Sequence, residues 1–201
     1  MFDYIKIENF LKEDYIQDLL AKDDLDNVYA NFEGNNKYLT SFLMQHDINV
    51  LDYLTYIPVE AFSGLAIRSL DLSSTNIDVV DGKAFEDCHL LSNVNLGKVV
   101  YVGINAFSGC PLLKSIDIPE TVKTLDNYCF ASSGLERIHL PKSLKKLGYG
   151  AFYNNKDLKS VTTDLTHEEL VDICDDDLKV RFTNCPKLNF IQCSNGIINA
   201  R

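Results

Sequence analysis

A phenylalanine returns down this chain at positions 62, 85, 107, 130 and 152, with gaps of 23, 22, 23 and 22 residues. A small residue precedes each ring: Ala61, Ala84, Ala106, Cys129 and Ala151. A fixed period of about 20–29 residues means a chain that winds into stacked coils, each burying its apolar side only against its neighbours. That periodicity constrains the fold before any helix or strand is assigned.

The segments between the rings carry the same rhythm. Leu113 opens the best-formed copy, L-K-S-I-D-I-P-E-T-V-K-T-L-D-N-Y-C, which closes on Phe130, and Leu135 opens the next, L-E-R-I-H-L-P-K-S-L-K-K-L-G-Y-G-A-F. Ile116 and Ile118, like Ile138 and Leu140, alternate with polar residues, which is the period of a strand with one face buried. Pro119 and Pro141 follow and end the strand, because proline has no N–H to extend a ladder. Val122 and Leu125, and then Leu144 and Leu147, supply a second inward side. Earlier copies are looser: Leu70 with Leu72 and Val94 with Leu96 lack the following proline. A diverged sixth copy, Arg181-Phe182-Thr183-Asn184-Cys185-Pro186, aligns with Ala106-Phe107-Ser108-Gly109-Cys110-Pro111, and makes Ile191 and Cys193 its strand pair. Gly64, Gly109 and Gly134 mark turns that need positive φ or close approach.

This pattern, L-x-x-I-x-[IL]-P-x-x-[VL]-x-x-[LI]-x-x-x-[AC]-F-x-x-C, resembles the BspA-like class of leucine-rich repeats over residues 54–163, and partially over 180–193. The resemblance implies an α/β repeat fold: a right-handed leucine-rich-repeat solenoid with one short parallel strand per coil of 22–23 residues. It also implies protein binding or adhesion. Short proteins of this class with a helical start look similar to bacteriophage-encoded ones.

Two segments break the repeat. Over residues 1–53, Ile7, Phe10, Leu11, Leu19 and Leu20, together with Phe2, Ile5, Tyr15 and Ile16, recur near the helical period, and Lys37 to Gln45 forms a second amphipathic stretch. An α-helical N-terminal cap over 1–53 would cover the open end of a solenoid of about six coils over 54–201. The same segment could instead be a binding head. Near 166–178 the spacing lengthens, and Thr166-His167-Glu168-Glu169 has the form of a capping box, which predicts a helical insertion.

Charge is uneven. Residues 1–53 hold eleven acidic and four basic side chains, residues 54–163 hold eleven of each, and residues 164–201 hold seven and four. No basic stripe is present, which argues against direct nucleic-acid binding. The N-terminal residues lack the basic leader and apolar run of a secretory signal, and no apolar run is long enough to span a membrane, so a cytoplasmic location is expected. Of the six cysteines, Cys88, Cys110 and Cys185 each lie three residues after a repeat phenylalanine, which predicts a ladder of buried thiols. No C-x-x-C pair offers a zinc site, and neither metal nor cofactor is expected.

Catalytic signatures are missing as well. The histidines at 46, 89, 139 and 167 are scattered, and no nucleophile elbow, zinc-protease motif, phosphate loop or dinucleotide fingerprint occurs. A non-enzymatic interaction module is therefore the first reading, with binding through the concave strand face. Its outward positions are Ser69 and Asp71, Asn93 and Asn95, Ser115 and Asp117, Arg137 and His139, Ser160 and Thr162, and Phe190 and Gln192. One alternative is an acidic inhibitor that imitates nucleic acid and blocks a DNA- or RNA-handling or defence protein, through Asp23, Asp24 and Asp26 or through Asp175, Asp176 and Asp177. Another is a surface adhesin.

Overall fold

The computed structural model describes residues 4–32, 34–46, 48–174 and 177–200; Phe2, Asp175 and Asp176 lie outside them. Four short helices come first: α1 (Tyr4–Leu11), α2 (Asp14–Ala21), α3 (Leu25–Asn31) and α4 (Asn36–Gln45). Each of the last two begins at a side chain that accepts a backbone N–H. Asp24 accepts from Asn27 N and Asn35 from Lys37 N, satisfying donors that the first helical turn leaves open. Ile7, Leu19, Val28, Leu39 and Leu43 are buried among these helices and join the solenoid core.

Each of the first five coils then passes through three sides. The first is a two-residue strand: β1 (Tyr56–Ile57), β3 (Val79–Val80), β5 (Tyr101–Val102), β6 (Thr124–Leu125) and β8 (Lys146–Leu147), paired in parallel in that order. The second is the turn that holds the repeat phenylalanine. The third is the ladder expected from the Ile-x-Ile alternation: β2 (Ser69–Asp71), β4 (Asn93–Asn95), β7 (Arg137–Leu140), β9 (Ser160–Thr163) and β10 (Phe190–Cys193). Single bridges from Asn95 to Asp117 and from Asp117 to His139 carry this ladder through the third coil. Beyond the one strand per coil expected from the alternation, each of the first five coils thus has a second. It is built on residues such as Val122 and Leu125, whose inward role is legible but whose pairing is not.

The phenylalanines form a continuous spine. Phe62, Phe85, Phe107, Phe130, Phe152 and Phe182 stack with centroids 5.1, 5.1, 5.4, 5.9 and 5.4 Å apart and planes within 16° of parallel. These spacings fall in the range where offset-stacked rings gain energy beyond their burial. The preceding Ala or Cys is fully buried, which leaves room for the neighbouring coil.

From Phe85 onwards, a side chain three residues after each ring donates back to the previous coil. Cys88 Sγ donates to Phe62 O, Cys110 Sγ to Phe85 O, Ser133 Oγ to Phe107 O, Asn155 Nδ2 to Phe130 O and Cys185 Sγ to Phe152 O. The expected thiol ladder is therefore a hydrogen-bonding ladder in which Ser133 and Asn155 take two rungs. Asn155 Nδ2 also reaches Phe152 O, while its buried Oδ1 has no partner among the described residues. All six cysteines are free and buried.

The turns repeat in backbone angle too. Residues two before the ring (Glu60, Lys83, Asn105, Tyr128, Gly150) and two after it (Gly64, Asp87, Gly109, Ser132, Asn154, Asn184) have φ between 52° and 73°. Most are not glycine, so the coil imposes a conformation that ordinary side chains resist. Gly134 serves differently, because a Cβ there would collide with the carbonyl of Pro111 in the coil below.

The sixth coil departs from the plan. Thr166 caps α5 (His167–Asp172) with a complete capping box: Glu169 N donates to its hydroxyl and Thr166 N to Glu169 Oε2. A 3-10 turn over Leu178–Phe182 follows, and among the described residues no strand continues the first ladder past β8. Ile173 O instead accepts from Leu147 N, and Arg181 Nε donates to Leu147 O at 3.0 Å. Arg181 occupies the position that is Ala or Cys in every earlier coil, and it is 1% exposed. Its guanidinium supplies the hydrogen bond that a sixth strand would have made. The second ladder ends in β11 (Gly196–Asn199), which turns back antiparallel on β10.

Candidate functional site

The strand alternation decides what the second ladder displays. Leu70, Ile116, Ile138, Val161 and Ile191 point inward and are buried. The residues on either side of each project outward from the sheet. Register aligns them into two columns. Asp71, Asn95, Asp117, His139, Thr162, Gln192 and Ile197 follow one another across paired strands. Beside them, Ser69 pairs with Asn93 and Arg137 with Ser160. All twelve outward residues read from the sequence are exposed except Thr162, which is half-buried. The apolar end is sharper than expected: Phe190 is 50% exposed, and Ile197, which the repeat pattern did not reach, is 65% exposed.

The chemistry of this face changes along its length. At the N-terminal end Ser69, Asp71, Asn93, Asn95, Ser115 and Asp117 line a shallow polar depression of ≈ 470 Å³. Asp71 accepts from Ser73 N, which holds its carboxyl below the ordinary range, and Asn95 accepts from Gly97 N, so both side chains are oriented by their own turns. In the middle, His139 Nδ1 lies 2.9 Å from Thr162 Oγ1 and its Nε2 lies 3.3 Å from an Asp164 carboxylate oxygen. Among the described residues, the side chains of Arg137, Asp117, Ser115 and Ser160 make no hydrogen bond or ion pair. Among the other cations, Lys142 pairs with Glu169, Lys146 with Asp126, Lys159 with Glu136 and Lys187 with Asp157, whereas Arg68, Lys98, Lys114, Lys145 and Lys156 make no ion pair among the described residues.

The acidic positions behave otherwise. Asp24 accepts from Asn27 N and Asn27 Nδ2. Asp26 accepts from the backbone N–H and hydroxyl of Thr55, tying α3 to the start of the first coil. Asp177 accepts from Lys179 N at the head of the 3-10 turn. Asp23 is exposed with a φ of 56°, and Asp175 and Asp176 lie outside the described residues. Three of these carboxylates therefore have structural work within the chain.

No group of three or more His, Cys, Asp or Glu among the described residues could hold a metal ion. No helix among them is long and apolar enough to cross a membrane. Burial pushes the Cys88 and Cys185 thiols up to about 11 and Cys110 to about 12, and it raises Cys129 further. None has the depressed pKa of a reactive nucleophile.

The BspA type leucine rich repeat region matches residues 33–159 in six copies. That family typically mediates protein binding and is generally non-catalytic. No curated protein matches the chain. Among solved structures, the chain is similar to a leucine-rich repeat protein from Bacteroides ovatus, at 25% identity with a TM-score of 0.47. The similarity covers 70% of this chain and 41% of that one, so the chain spans well under two thirds of that protein's length. With a family model covering more than half of its residues, the chain belongs to the BspA-type leucine-rich repeat family.

Proposed function

We propose that this protein is a non-enzymatic module that binds a protein partner through the exposed face of its second ladder. The observation that carries the reading is the pair Asp117 and Arg137, exposed one coil apart on a rigid sheet, with no partner in the chain among the described residues. Coulomb attraction would favour pairing them with nearby charges, as Lys159 is paired with Glu136 beside them. A rigid backbone holds both in fixed places, so a partner that meets them loses little conformational entropy. Arginine flanked by small polar residues suits an interface anchor.

The acidic-inhibitor reading has less support, because Asp24, Asp26 and Asp177 already accept hydrogen bonds that order the chain. The test is a pull-down from the native cell's lysate with wild type beside an Arg137→Ala/His139→Ala variant. Loss of an anchoring arginine weakens binding by about 2 kcal/mol, roughly thirtyfold. A partner held by wild type and lost by the variant supports the face. A partner held equally by both overturns it and turns attention to the helical segment and α5.

A further inference from the structure

We propose that the partner presents an extended, polyproline II-like segment whose cationic, acidic and apolar side chains follow one another at every third residue. This rests on the strand-face reading above and names the class of ligand. The face has three zones in order. The first is an anionic depression centred on Asn95, with Asp71 and Asp117 on the flanking strands. The second is the cation Arg137 on the coil of His139. The third is the apolar end at Phe190 and Ile197 beside Gln192.

Register sets the distances between zones. Asn95 to His139 is two strand steps, through Asp117, and His139 to Gln192 is two more, through Thr162. Each step is about 4.7–4.9 Å, so successive zones lie about 9.4–9.8 Å apart. A polyproline II helix turns once in three residues at about 3.1 Å each, or about 9.3 Å per turn. Side chains three apart on such a segment share one face and meet every second coil. A β-strand lacks this match, because residues three apart on it point to opposite sides. The occupant therefore carries Lys or Arg, then Asp or Glu, then a Leu-like or aromatic residue, each separated by two others, in either chain direction.

The probe is a random dodecapeptide display library selected on the immobilised full chain, in parallel on wild type and on Arg137→Glu. Arg137 is exposed and makes no side-chain hydrogen bond or ion pair among the described residues, so the variant should unfold at the wild-type temperature. Wild type should enrich the cation–x–x–acid–x–x–apolar pattern or its reverse. The variant should enrich Lys or Arg at the central position, and should bind the wild-type winners about thirtyfold more weakly or worse. Enriched sequences without the three-residue spacing, or unchanged by the variant, overturn the proposal. So does the absence of enrichment above blank resin, whereas the face as a binding site for a folded partner stands or falls with the pull-down.

Discussion

Phe107 shows what one residue contributes here. Its ring is fully buried between Phe85 and Phe130, at 5.1 and 5.4 Å. Replacing a buried phenylalanine with alanine costs about 3–5 kcal/mol, and a spine of stacked rings cannot collapse onto the gap without shifting whole coils. Phe107→Ala should therefore lower the unfolding free energy by that amount in a urea titration, and an unchanged midpoint would refute the register. Cys110 makes a finer point. Its thiol donates to Phe85 O, and Ser133 makes the same bond one coil later at 2.6 Å. Cys110→Ala removes one of the two hydrogen bonds that Phe85 O accepts, the other coming from Cys88 N, and should cost about 0.5–1.5 kcal/mol. Cys110→Ser keeps a donor at that rung and should cost measurably less by the same titration.

At the scale of elements, the decisive event is the end of the first ladder. Strand β8 would expose its outer edge if nothing followed, and exposed edges recruit other chains. Ile173 O and the Arg181 guanidinium close it instead. Arg181→Ala removes the donor to Leu147 O and leaves a void where the guanidinium was. The expected loss is at least the ~1–3 kcal/mol of an orphaned buried acceptor. Arg181→Lys should recover little of it, since a lysine ammonium lacks the planar fork. Thermal unfolding of both variants checks this, and sedimentation should show whether the freed edge associates. The same arginine explains a limit of the sequence reading. Aligning Arg181 with Ala106 is correct in register, yet alignment alone does not show that a long cation in an alanine position substitutes for a strand.

For the whole molecule, buried thiols make alkaline pH a stability test. The thiols of Cys88, Cys110 and Cys185 are raised to about 11, 12 and 11 from an ordinary 9.0. Below about pH 9 both states hold the proton and the stabilisation is complete. Above it the unfolded chain ionises while the folded one does not, so stability falls as pH climbs towards the folded values. The urea midpoint should therefore drop between about pH 9 and about pH 12. A Cys88→Ser/Cys110→Ser variant should lose less over that interval, and an equal loss would show that other groups set the alkaline limb. Because each coil touches only its neighbours, such local changes sum along the solenoid.

The sequence by itself determined the period, the phenylalanine spine, the inward and outward faces of the second ladder and the cap of α5. Each of these is a local or one-coil regularity, and periodic burial writes itself directly into residue type. Tertiary structure alone decided the rest. The first ladder of two-residue strands is too short to leave an alternation. Left-handed backbone at Glu60, Lys83 and Tyr128 is imposed by stacking against the next coil, against the preference of those side chains. Asp24, Asp26 and Asp177 look alike as acidic residues in a linear chain. Only the fold shows that they hold backbone donors in place, while Asp117 and Arg137 face outward without partners among the described residues, because strand register is a contact between residues some 22 positions apart.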